Sequence, residues 1–250
     1  MSGLSLCSLS LCGKIILETG KSCSVVPSRR QINYFPENCI EVIPELPHNI
    51  RMLAKVCSAA VNGIEAYPIE VEVNAGWGDT KIIIVGLPDA AVREAQDRVT
   101  TALTNSGFKF PMGRTTINLA PADVKKEGPS FDLPIAIAIL GAYGALHIKD
   151  VSDFLLVGEL GLDGTLRAVQ GMLPIAVAAR TAGIRNLIIP ISNAREAAVD
   201  GGVDVYPVHT LLEVRELLNS AAFGAIAAQP LRIEAASLLE ELEHFPFDFK

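Results

Sequence analysis

Residues 131–146 form an almost uninterrupted apolar run, which constrains the fold more than any other part of the chain. A helix that is apolar on nearly every side must be buried on most of its faces. The run is shorter than the ~20 residues that a membrane-spanning helix needs. We therefore expect a helix inside a globular domain, and no membrane as a partner.

Strand and helix patterns alternate along the chain on both sides of this run. Short apolar or alternating segments predict strands at 53–61, 69–73, 81–85, 114–119, 154–157, 187–189 and 203–206, and a hairpin at 158–169. Helical spacing predicts one helix that starts at Pro88 and others at 173–181 and 211–218. Strands come first and then interleave with helices, which predicts an α+β fold, with helices on one face of a mixed α/β sheet.

Two of the predicted helices carry signals at individual residues. The helix after Pro88 has Asp89 in a favourable place in its first turn, and Gly107 as a plausible stop. Its apolar stripe consists of Val92, Ala95, Val99, Ala102 and Leu103. Thr210 and Glu213 predict a capping box for the helix at 211–218.

The pattern divides the chain into three parts. Residues 1–51 lack any period and are expected to be a poorly structured extension, with Met52 close to the start of folded structure or to the true start of the protein. Residues 52–220 form the regular domain. Residues 221–250 are expected to be an alanine-rich linker with a small acidic helix at 235–243.

Composition limits the classes of function. The formal net charge of −7 argues against non-specific electrostatic binding to nucleic acid, because such binding usually needs a basic face. Four of the five cysteines lie in residues 1–51, so the body carries one thiol, as suits a reducing cytoplasm.

No metal or cofactor site is expected in this chain. The cysteines and the four histidines, His48, His147, His209 and His244, show no metal-ligand spacing. The tripeptide Gly20-Lys21-Ser22 resembles the end of a phosphate loop, but that loop needs a glycine at position 15, where this chain has isoleucine.

Ser130 stands at the junction between a polar loop and the apolar helix, and three roles are open to it. Ser130 or Asp132 could cap the helix. Ser130 could be a nucleophile if a base lay within hydrogen-bond reach, or it could be a ligand of phosphate at a helix N-terminus.

A few basic residues are candidates for contact with DNA. The best are Lys125, Lys126 and Arg114, although for the two lysines a solvated loop pair beside Asp123 and Glu127 is the favoured interpretation. Because so few cations are available, we expect weak binding with a steep dependence on salt.

The loop around Ser130 resembles the nucleophile loop of Lon-type proteases, which have the ribosomal S5 domain 2-like fold. The similar segments are Asp123-Val-Lys-Lys-Glu-Gly-Pro-Ser130, Gly158-Glu-Leu-Gly-Leu-Asp-Gly-Thr-Leu166 and Ala182-Gly-Ile-Arg-Asn-Leu-Ile-Ile-Pro190. The resemblance implies a catalytic lysine on the helix after the hairpin, but the ungapped register puts Leu173 there. We therefore do not expect a Ser/Lys protease, and we predict that Ser130 or Asp132 is the helix cap.

A closer resemblance, over residues 52 to about 220, is to the N-terminal Lon-like domain of the magnesium-chelatase-like AAA+ family typified by YifB and ComM. The segments that carry it are Met52-Leu-Ala-Lys-Val, Val71-Glu-Val-Asn-Ala-Gly, Ile84-Val-Gly-Leu-Pro-Asp-Ala-Ala-Val-Arg-Glu94, Ile117-Asn-Leu-Ala-Pro-Ala-Asp123 and Lys126-Glu-Gly-Pro-Ser-Phe-Asp-Leu-Pro-Ile-Ala-Ile-Ala138, and residues 245–250 resemble the segment just before the ATPase module.

This second resemblance implies the front domain of a hexameric DNA-remodelling motor that assists branch migration in natural transformation. ATP and Mg²⁺ would bind in an AAA+ module that these 250 residues do not include. The expected partners are that module, the other copies in the ring and single-stranded or branched DNA. The isolated domain is expected to be a monomer or a weak oligomer.

Three functions are therefore weighed. The first is a non-catalytic accessory domain of an AAA+ ATPase, truncated before the motor. The second is a serine peptidase in which Ser130 works with an unexpected base. The third is a small-molecule kinase, because GHMP kinases share the fold, but residues 127–130 have too little glycine and serine for their phosphate loop.

Overall fold

The structure is a computed structural model, and it describes residues 14–16, 22–24, 52–76, 78–108, 113–146, 153–222, 226 and 228–232. The chain divides into two compact units, Met1–His48 and Asn49–Lys250. The predicted helix at 235–243, the segment 245–250, most of the linker after Ala222, and His48, His147 and His244 lie outside the described residues.

In the first unit, the described residues form an antiparallel pair of short strands, β1 (Lys14–Ile16) and β2 (Ser22–Ser24). Strands β3 to β11 of the second unit are Met52–Asn62, Glu65–Gly76, Lys81–Val85, Arg114–Ala120, Phe154–Leu156, Glu159–Leu160, Leu166–Arg167, Asn186–Pro190 and Asp204–Val208. Its helices α1 to α5 are Ala90–Asn105, Asp132–Ala142, Met172–Thr181, Ala194–Ala198 and Leu211–Ala222.

Seven of these strands form one mixed sheet in the order β11-β10-β7-β3-β4-β6-β5. Strands β3, β4 and β6 are antiparallel neighbours, whereas β7, β10 and β11 are parallel. Strand β3 meets β7 through a single pair of residues, Cys57 and Leu155. Strands β8 and β9 form the separate predicted hairpin. The expected α+β fold with a mixed sheet is confirmed.

Helices cover both faces of the sheet at its parallel end, so the prediction of helices on one face only is wrong. Leu156 and Ile188 pack in the same core as α1, α2 and α5. Their neighbours Leu155 and Leu187 point to the other side, into a second core with α3 and α4. Parallel strands that are buried on both faces are apolar at successive positions, as β7 and β10 are.

Helix α2 has the burial that its sequence predicts, since ten of its eleven residues are buried. It ends at Ala142, four residues before the predicted end, where the chain turns at Tyr143 and Gly144. The predicted stripe of α1 is also confirmed, because its five residues are the buried residues of that helix.

The N-termini of α1 and α5 are held by side chains. Asp89 is the N-cap of α1, and its Oδ1 accepts a hydrogen bond from the N–H of Val92 at 2.8 Å. At α5, the Glu213 N–H donates to Thr210 Oγ1 at 3.3 Å. In a capping box the Glu213 carboxylate would accept from the N–H of Thr210. Here it accepts instead from the N–H of the preceding residue, His209, at 2.7 Å.

Candidate functional site

The loop between β6 and α2, residues 121–131, is tied to the start of α1. Lys126 forms an isolated parallel bridge with Pro88, and the Asp89 N–H donates to the carbonyl oxygen of Lys126 at 3.2 Å. The Gly128 N–H in turn donates to Asp89 Oδ2 at 3.2 Å. One carboxylate thus caps α1 and also holds the loop that leads to Ser130.

Ser130 lies in a single 3₁₀ turn, Pro129–Phe131, and is half-buried. It lines a cleft of about 790 Å³ together with Asp89, Glu127 and Glu159. Its carbonyl oxygen accepts from the N–H of Gly158 at 3.0 Å, which joins the loop to the end of β7. The predicted nucleophile loop therefore does present its serine to an open cleft.

Neither Ser130 nor Asp132 caps α2, so that prediction is wrong. The N-cap position is held by Phe131, and its side chain makes no capping hydrogen bond. The N–H of Leu133, which would need a cap, donates instead to the carbonyl oxygen of Gly158 at 3.0 Å. A distant backbone carbonyl thus replaces the side-chain cap.

Asp132 has a different partner, the guanidinium group of Arg98 on α1. Arg98 Nε donates to Asp132 Oδ2 at 2.8 Å and Nη2 donates to Oδ1 at 3.0 Å, a two-pronged pair. The Leu160 N–H donates to the same Oδ2 at 3.3 Å. The Asp132 side chain is fully buried; burial raises the pKa of its carboxyl group, and the bonds from Arg98 oppose that rise.

The described residues that line the cleft include no lysine, arginine or histidine, so the titratable side chains there are the carboxylates of Asp89, Glu127 and Glu159. Leu173, at the position that the Lon resemblance gives to the lysine, lines a different cavity with Ile64 and Val177. Lys126 is also turned away, because its Nζ donates to the carbonyl oxygen of Pro121.

The structure does not bring Lys125, Lys126 and Arg114 together as a contact surface for DNA. Arg114 is the first residue of β6, and Lys125 lies in the loop after the last residue of that strand. The two ends of the strand are roughly 20 Å apart, at about 3.3 Å per residue. Lys125 is exposed and paired with Glu127, as a solvated loop residue would be. Lys126 is fully buried, so it is neither a solvated lysine nor a DNA contact.

The burial of Lys126 predicts a pH effect on stability. Desolvation lowers the pKa of the Lys126 ammonium group. Between this lowered pKa and the ordinary pKa of lysine, the unfolded chain binds one more proton than the folded chain. The free energy of unfolding contributed by Lys126 therefore rises with pH in this alkaline range.

A Lys126→Met variant should lack this rise, which urea unfolding at several alkaline pH values would measure. The exposed neighbour offers a matched control, because a Lys125→Met variant should keep the pH dependence of the unmodified chain. Equal slopes for the unmodified chain and Lys126→Met would show that the ammonium group is not desolvated.

Sequence patterns missed Arg98 and the second role of Asp89, because both act on segments that are distant in sequence.

Within the described ranges, no cluster of three or more His, Cys, Asp or Glu side chains could hold a metal ion. In the same part of the chain, no helix has the length and apolar character needed to cross a membrane.

Comparisons with known proteins agree with the fold. Residues 69–193 match the sequence model of the family described as "Subunit ChlI of Mg-chelatase". Competence protein ComM of Haemophilus influenzae is 46% identical over 185 residues, which are 74% of this chain and 36% of ComM. YifB of Salmonella typhimurium, which has no assigned function, is 46% identical over 147 residues, which are 59% of this chain and 29% of YifB.

A more distant relative is a Lon protease. Lon protease 1 of Hydrogenovibrio crunogenus is 32% identical over 96 residues, which are 36% of this chain and 12% of that enzyme. The chain spans about a third of the length of the ComM and YifB proteins that it matches.

Proposed function

This chain belongs to the Mg-chelatase-like family that includes ComM and YifB, and on that premise we propose that it is a non-catalytic accessory domain of an AAA+ ATPase that acts on DNA. ATP and Mg²⁺ would bind to an ATPase module outside these residues. The domain would help to assemble a ring of six copies or to guide single-stranded or branched DNA to it, as in branch migration during natural transformation.

The observation that carries this proposal is the environment of Ser130. A serine hydroxyl is a poor nucleophile until a base removes its proton. Among the described residues, three carboxylates line the cleft, and none of the lining side chains is lysine, arginine or histidine. Those carboxylates have other contacts. Asp89 caps α1, Glu127 forms an ion pair with Lys125, and Glu159 forms an ion pair with Arg167.

A serine peptidase is the second candidate, and the exposure of Ser130 in an open cleft favours it. A fluorophosphonate probe separates the two functions because it labels only activated serines. We expect no labelling of the 250-residue chain and no difference between it and a Ser130→Ala variant. Stoichiometric labelling that Ser130→Ala abolishes would establish the peptidase instead.

The accessory role itself is tested in a protein that carries this domain together with its ATPase module. Deletion of residues 52–222 should lower DNA-stimulated ATP hydrolysis severalfold, whereas Ser130→Ala should leave it unchanged. The 250-residue chain should hydrolyse no ATP. ATP hydrolysis by this chain would contradict the accessory role. So would DNA-stimulated ATP hydrolysis that is unchanged after the deletion.

A further inference from the structure

A second polar cavity, of about 430 Å³, lies where β10 and β11 begin. Its wall includes Arg185, just before β10, the turn 201–203 between α4 and β11, and Arg232. A water molecule occupies about 30 Å³ of liquid, so the cavity has room for a phosphate group and several waters. It lies outside the Ser130 cleft and shares no lining residue with it.

Two arginines, Arg185 and Arg232, line this cavity together with Asp204, and a third, Arg180, packs behind its turn at Gly202. Arg180 and Arg232 have carboxylate partners. Arg180 Nη1 lies 3.0 Å from Asp200 Oδ1, and Arg232 Nη2 lies 3.2 Å from Asp204 Oδ1. Among the described residues, no carboxylate lies within ion-pair distance of Arg185. The group therefore has a net positive charge, even though the protein as a whole is negative.

The pair between Arg232 and Asp204 is weak enough to exchange for a ligand. The Arg232 side chain is 81% exposed and that of Asp204 is 38% exposed. Ion pairs with this exposure contribute little to stability, because water screens them and ordering the side chains costs entropy. An arriving anion could therefore bind Arg232 without opening a buried interaction.

The turn in the cavity wall adds backbone donors. The N–H groups of Gly202 and Val203 have no acceptor within the described part of the chain, whereas those of Gly201 and Asp204 donate to Ala198 and Arg185. A Cβ at position 202 would lie 2.3 Å from Arg180 Cδ and 2.9 Å from Asp200 Oδ2, so the turn packs directly on the ion pair between these two residues. Free N–H groups beside guanidinium groups are donors that phosphate oxygens use.

We propose that this arginine pocket, formed by Arg185, Arg232 and the turn 201–203, binds a phosphate group of a nucleic-acid backbone. The guanidinium group is planar and always charged, and its paired N–H groups match two phosphate oxygens. Such contacts position a protein on nucleic acid without selecting a sequence. The choice of nucleic acid as the source of phosphate rests on the proposed function in DNA processing.

The first experiment uses inorganic phosphate as the probe and the 250-residue chain as the protein. Phenylglyoxal modifies free arginines, and peptide mass mapping measures the rate at each one. Phosphate should slow the modification of Arg185 severalfold relative to sodium chloride of equal ionic strength. Arg167, which is 65% exposed on β9 and does not line the pocket, is the internal control and should be unaffected.

The second experiment measures binding of fluorescent oligothymidine by anisotropy over a range of salt concentrations. An Arg185→Gln variant should bind more weakly, and the slope of log K against log salt should become shallower by about 0.7 for the lost phosphate contact. Arg167→Gln, the matched control, should keep the original slope. Circular dichroism would verify that both variants are folded.

The two experiments separate failure of the site from failure of the proposed function. No protection of Arg185 by phosphate would overturn the pocket, whatever the ATPase experiments show. Protection by phosphate together with an unchanged oligothymidine slope in Arg185→Gln would overturn its assignment to nucleic acid. If Arg185→Gln and Arg167→Gln weaken oligothymidine binding equally, the binding depends on the overall positive charge of the surface and not on this pocket.

Discussion

An Asp132→Ala variant is expected to lose about 3–5 kcal/mol of free energy of unfolding, the usual cost of leaving one partner of a buried ion pair alone. Asp132 is fully buried, and the side chain of its partner Arg98 is 23% exposed. The substitution removes the acceptor of three hydrogen bonds, two from Arg98 and one from the N–H of Leu160. Urea unfolding followed by circular dichroism measures the loss.

Two further variants show whether the loss comes from the unpaired charge. In an Arg98→Met/Asp132→Leu double variant, both charges are replaced by apolar groups, so much of the stability should return. A Glu70→Ala variant removes one partner of Lys55 from an exposed pair and should have only a small effect. A double variant as unstable as Asp132→Ala would mean that shape, and not charge, dominates at this site.

A Gly86→Ala variant is expected to have a comparable effect for a steric reason. Gly86 has φ of +100°, and a Cβ there would lie 2.1 Å from the carbonyl oxygen of Leu119 on β6. Backbone conformations of this kind cost side-chain-bearing residues about 1–3 kcal/mol, and overpacking adds about 1–3 kcal/mol. Thermal and urea unfolding should therefore show a loss of about 3–5 kcal/mol, or a chain that fails to fold.

Gly63 is the matched control for this substitution. It also has positive φ, +65°, but a Cβ there would meet no atom within 4 Å. A Gly63→Ala variant should therefore show only the conformational cost of about 1–2 kcal/mol. Similar losses at the two glycines would mean that β5 and β6 can separate enough to relieve the contact.

The sequence predicted those parts of the fold that depend on local periodicity. The stripe of α1 and the burial of α2 follow from the spacing of apolar residues, which needs no knowledge of the neighbours. Helices on both faces were missed because a short apolar strand has the same composition whether one or both of its faces are covered.

The site was harder to predict because its contacts join distant segments. Arg98 and Asp132 are 34 residues apart, and nothing in either segment specifies the other. The carbonyl oxygen of Gly158 removes the need for a cap at Ser130, and it comes from a separate strand end. Lys126 has the acidic neighbours of a solvated lysine, and its burial becomes visible only in the folded loop, where its backbone bridges to Pro88 and its Nζ donates to the carbonyl oxygen of Pro121.

The single pair of residues between β3 and β7 bears on the route by which the chain folds. This pair divides the sheet into two halves, β11-β10-β7 and β3-β4-β6-β5. Within each half, most strands pair with strands that are near in sequence, as in the β3–β4 hairpin and the parallel strands β7 and β10 on either side of α3. Joining the halves at Cys57 and Leu155 closes a loop of nearly a hundred residues for very few backbone hydrogen bonds. The entropy lost there is recovered by packing of α2 on one face and α3 on the other, since each core contains side chains from both halves. We therefore expect the sheet to be completed late in folding, when these two helices dock across the junction.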